Sequence, residues 1–138
     1  METLEIYKSF NSNKSIEELQ YNIIRDIQKL ENLNLELEFY KSLIDKPIFK
    51  PHVMNLYESL VSFKNEIKGI NKNRIGLLNE IYSHRNKIRN KIECEDLVCD
   101  NFFIRKHDDI ELKAFNFYNK VSDFKSKWFQ YIQSVIMS

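Results

Sequence analysis

Ile16, Ile23, Leu30, Leu37 and Ile44 stand seven residues apart, and every one is a long aliphatic. Leu19, Leu33 and Tyr40 fill three of the companion positions three residues on, and Asp26 is the one polar intruder. An apolar row of period seven sustained over four heptads defines the seam of a helix that packs against other helices. The chain also has only two glycines and two prolines in 138 residues. Sheets need many turns, and turns draw on these residues. Long helices with few connections need almost none, so the sequence predicts an all-α protein.

The first long helix is expected over 15–45. Ser15 and Glu18 form an S-x-x-E capping box, in which each side chain satisfies a backbone N–H that the first turn leaves unpaired. Lys46-Pro47 ends it, because the residue before proline is pushed out of the α region. The segment 47–51 is short and implies an antiparallel return. Pro51 suits the first position of a second helix, where its missing N–H is not needed.

That second helix is expected over 52–93. Its row is Val53, Leu60, Ile67, Arg74, Ile81 and Ile88, with Leu56, Phe63, Ile70, Leu77, His84 and Lys91 as companions. The phase holds through Gly69 and Gly76, which favours one helix of about 40 residues, ~60 Å long. An interior glycine costs ~1 kcal/mol relative to alanine. A kink is therefore expected between these glycines, with a true turn as the alternative.

The third helix is expected over 108–136. Asp108 and Glu111 look like a D-x-x-E cap, and Ile110, Ala114, Phe117, Val121, Phe124, Trp128, Tyr131 and Val135 form an unbroken, strongly aromatic seam. Residues 94–107 read as a short segment packed across the end of the bundle, and residues 1–14 as an arm or short helix. The expected whole is a single domain, 1–138: an elongated, coiled-coil-like antiparallel bundle of three long helices. The second helix, as the longest, would overhang its neighbours and leave seam uncovered. Exposed apolar seam finds a partner, so a homodimer and helix-mediated protein partners are expected.

Charge narrows function further. The net charge is +1, which argues against whole-surface binding of nucleic acid. By segment, residues 1–50 carry net −2, 51–93 net +4 and 94–138 net −1. The basic residues gather on the second helix, where Lys68, Lys72, Arg74, His84, Arg85, Arg89 and Lys91 are the candidate partner-binding residues. They are spread around the helix, as a solvated surface facing the acidic first helix would be. Arg74 and His84 occupy seam positions, where polar residues set register or partner choice.

Arg85-Asn86-Lys87-Ile88-Arg89-Asn90 partly resembles the R-N-x-x-x-H element of HEPN-type helical nucleases. In that family the arginine and histidine act together on an RNA phosphate, usually at a dimer interface. Arg85 and Asn86 match, but Asn90 stands where the histidine should be, and an amide cannot shuttle a proton. The resemblance covers six residues and implies at most an RNA-binding or inactive relative.

Cys94 and Cys99 have C-x₄-C spacing with His107 beyond, but nothing selects a fourth zinc ligand. No metal or cofactor is expected. There is no phosphate-cradling glycine loop, no E-x-x-H pair and no G-x-S-x-G. The acidic N-terminus lacks a secretory h-region, no stretch approaches a membrane span, and two cysteines fit free thiols in a reducing compartment, so a cytoplasmic location without membrane contact is expected. The function expected is that of a non-enzymatic interaction protein (adaptor, assembly subunit or inhibitor). The alternative is a nucleic-acid-binding or degenerate nuclease-like domain using the basic helix.

Overall fold

A computed structural model describes residues 15–91 and 97–138. Three helices run through them: α1 (Ile16–Ile44), α2 (Leu56–Lys91) and α3 (Leu97–Val135). The all-α three-helix bundle expected from the seams is what the chain forms. Contacts between helices set their directions. Asp45 meets Lys64 and Asn34 meets Arg74, so α1 and α2 are antiparallel. Glu66 meets Lys127 and Glu80 meets Lys113, so α2 and α3 are antiparallel. Glu36 meets Lys125, placing α3 alongside α1 in the same direction.

The seams become the core. Ile23, Leu30 and Leu37 of α1, Ile67, Ile81 and Ile88 of α2, and Phe117, Phe124 and Trp128 of α3 join one buried cluster. At its wide end the aromatic residues fill the space between helices. Trp128 stacks on Phe124 at 6.3 Å and meets Phe63 edge-on at 5.1 Å. Tyr40 closes the group from α1, 5.9 Å from Trp128.

The start of α1 is as expected. Glu18 N–H donates to the Ser15 hydroxyl at 3.2 Å, and the Glu18 carboxylate accepts from Ser15 N–H at 2.9 Å. The α1–α2 connection also ties down the end of α3. Lys50 N–H donates to the Val135 carbonyl at 2.8 Å and Met137 N–H to the Ile48 carbonyl at 2.9 Å.

Two of three expectations about α2 and α3 need correction. First, α2 starts at Leu56, not at 52, and Pro51 is not its first residue. His52 and Asn55 have φ of 65° and 58°, a left-handed backbone that cannot belong to a right-handed helix. Second, as the unbroken apolar phase favoured, α2 passes through Gly69 and Gly76 without a break, and the alternative of a turn there is not formed. Packing on both neighbours outweighs the weak intrinsic preference of two glycines. Third, residues 97–107 are no separate packed segment; they are the first turns of α3, which begins at Leu97 instead of 108. Phe103 and His107 are buried and extend the seam backwards through Ile110 in 4-3 steps. Asp108 therefore lies inside the helix and not at its N-terminus. With 39 residues α3 is longer than α2, with 36. The overhanging middle helix, and the uncovered seam it implied, disappear. Residues 1–14 and the Cys94 part of the Cys94/Cys99 pair lie outside the described residues, as do the side chains of Asn90, Lys91 and Cys99.

Candidate functional site

The basic residues of α2 do not form one surface. Arg74 and His84 point into the bundle, 8% and 1% exposed, and so cannot be offered to a partner. Arg74 bridges α2 to α1. Its guanidinium donates to Asn71 Oδ1 at 2.9 Å, Asn34 Oδ1 at 3.2 Å and the Leu30 carbonyl at 3.4 Å. A buried guanidinium needs its donors filled, and these acceptors supply that within one level of the bundle. Lys68 and Lys72, four residues apart, are exposed side by side on α2, Arg89 is exposed near the far end of the helix, and Arg85 is half-buried. Lys91 is the last residue of α2.

Two of the polar residues that interrupt the seams meet. The rings of His84 and His107 are 5.6 Å apart, each 1% exposed, and none of their four ring nitrogens has a hydrogen-bond partner among the described residues. Burial holds the His84 imidazole well below its ordinary range, at about 4, helped by His107, Lys106 and Lys87. The His84 ring is thus packed as a neutral, apolar-like body, with Phe103 beside it. Glu111 lies 3.5 Å from His107 Nε2. From α1, Asp26 feels Glu111 and His107, and burial foremost raises its carboxyl above the usual range. Asp26, His84 and His107 are therefore one polar level of the bundle, contributed by all three helices. Among the described residues no group of three or more His, Cys, Asp or Glu side chains is arranged to hold a metal ion.

A groove of about 480 Å³ runs between α2 and α3. Lys72, Lys113 and Lys120 line it, with Leu77 and Phe117 as its apolar floor and Gly76 leaving one wall low. Glu80 holds Lys113 at 2.9 Å.

The sequence reading missed the outer face of α1. Tyr21, Ile24, Leu35 and Phe39 are 68%, 48%, 67% and 58% exposed. At 100° per residue they fall within about 80° of arc, opposite the buried seam. Gln28 and Asn32 are the residues between them on that arc. The charged residues flanking this strip turn towards the neighbouring helices: Glu31 accepts from the Tyr82 hydroxyl at 3.2 Å, Lys29 sits 4.1 Å over the Tyr118 ring, and Glu36 pairs with Lys125 at 2.6 Å. Counting the apolar residues left over after the first seam was assigned would have revealed this second row.

Comparison with known proteins finds no matching family model, no matching curated protein and no matching solved structure. Among the described residues no helix is long and apolar enough to cross a membrane.

Proposed function

We propose that this chain is a non-enzymatic helical interaction protein, and that the outer face of α1 is where a protein partner docks. One observation carries the reading: α1 is apolar on two opposite faces. The inner row builds the core, and the outer row leaves four large apolar side chains in water along five helical turns. Single exposed apolar residues are ordinary, whereas an aligned row marks a contact surface. A partner helix laid along the strip would bury it as any core seam is buried. The test compares wild type with Leu35→Glu and Phe39→Glu. Both sites are exposed, so both variants should keep the helical spectrum and melting temperature. Loss of partner binding in both is expected; partners that bind all three proteins equally would remove this reading.

The α2–α3 groove favours a second reading, binding of nucleic acid. Lys72 and Lys120 line it with no acidic partner among the described residues, so two ammonium groups flank an apolar floor where phosphates could lie. This moves the basic surface from Arg85 and Arg89 to Lys72 and Lys120. RNA binding that falls steeply with salt and is lost in the Lys72→Glu, Lys120→Glu double variant would support it. Absence of binding at low salt would end it.

A further inference from the structure

We infer that the partner of the α1 face is a second copy of this chain, paired antiparallel about a two-fold axis near residue 30. The inference rests on the proposed role of that face and adds its occupant and register.

The strip is chemically palindromic. In order it presents aromatic Tyr21, aliphatic Ile24, amide Gln28, amide Asn32, aliphatic Leu35 and aromatic Phe39. Positions paired across the centre sum to 60, 59 and 60. An antiparallel copy therefore places Tyr21 opposite Phe39, Ile24 opposite Leu35 and Gln28 opposite Asn32, each twice by symmetry. A two-fold interface requires just such a self-complementary patch. The amides sit at the centre, where they can hydrogen-bond one another across the axis, and register is set by pairing them.

Charge agrees with this register. Arg25 and Glu36 lie on the same flank of the strip, the flank towards α3, and their positions sum to 61. In the antiparallel pair each Arg25 faces the other copy's Glu36. Arg25 is exposed and makes no ion pair among the described residues, while Glu36 has a second carboxylate oxygen beyond the one that meets Lys125 and Tyr40. The like charges nearest the axis are the two Glu31 carboxylates on the other flank, and each is drawn back by its own Tyr82. Phe129, 49% exposed and 5.7 Å from Tyr40, widens the contact beyond α1 at the Phe39 end.

The experiment is sedimentation equilibrium of the full chain over a range of concentrations, with circular dichroism to establish folding. Wild type should be a dimer and Leu35→Glu a folded monomer. Arg25→Glu alone and Glu36→Arg alone should each weaken the dimer, by about tenfold if two exposed ion pairs are turned repulsive. Mixing these two variants should restore it, because each 25–36 contact in the mixed pair again joins opposite charges. A folded wild-type monomer at ~100 µM overturns the inference. So does a dimer indifferent to Leu35→Glu, or a mixture no tighter than the separate variants. A wild-type monomer that still binds another protein through Leu35 would overturn self-pairing while sparing the docking role of the face.

Discussion

His84 on α2 and His107 on α3 pack ring to ring, 5.6 Å apart, at a fully buried level where none of their nitrogens is hydrogen-bonded among the described residues. Elsewhere the buried seam positions are apolar, with Arg74 as the exception. The pair is the least satisfied polar feature of the core among the described residues, and it makes the fold sensitive to acid.

Acidification should destabilise the bundle through His84. In the folded chain this imidazole titrates at about 4, against an ordinary 6.5. Between those values the unfolded chain takes up a proton that the folded chain refuses. Stability is therefore whole above pH 6.5 and falls as the pH drops towards 4, by on the order of 3 kcal/mol for the full interval. Asp26 acts in the opposite sense, since burial favours its protonated form. Urea melts at pH 7.5, 6 and 5 check this: His84→Leu should flatten the decline seen in wild type, and equal slopes would refute the assignment.

Arg74 should prove a stabilising residue and not a binding one. Arg74→Ala leaves Asn34 and Asn71 without their common donor at a half-buried level and removes packing. A loss of about 2–3 kcal/mol in denaturant melts is expected. Arg74→Lys should recover little, because an ammonium group cannot span three acceptors laid out for a planar fork. At concentrations where the variant is folded, its association with partners should equal that of wild type.

Gly69→Ala should stabilise the protein. A Cβ there meets nothing within 4 Å, and the residue lies inside a continuous helix. The gain expected is about 1 kcal/mol, from helix propensity and the lower entropy of the unfolded chain. An unchanged or lower melting temperature would mean that glycine is kept for a reason outside the folded monomer.

Trp128→Ala should be among the most damaging core changes. The indole is 1% exposed and joins aromatic rings from all three helices. Removing it opens a cavity that the surrounding rings can only partly fill, with a loss of about 3–5 kcal/mol. Calorimetry would detect this as a large fall in melting temperature with a broadened transition.

Periodicity determined the class of fold, the number of long helices and most of the buried residues of α1 and α3, and the S-x-x-E spacing determined the capping box at Ser15. These are readable because a helix side chain's direction follows from its position along the chain, and burial follows from direction. Three things were decided by tertiary structure. The start of α3 was hidden because Asp108 and Glu111 look like a D-x-x-E cap, and only the burial of Phe103 and His107 shows the helix continuing backwards into the core. The apolar phase already favoured one helix through Gly69 and Gly76, and the tertiary structure decided against the alternative turn, with neighbours that hold both halves in line. The outer row of α1 had no meaning in the sequence until the inner row was seen to complete the core, because only a finished core shows which apolar residues have no place in it.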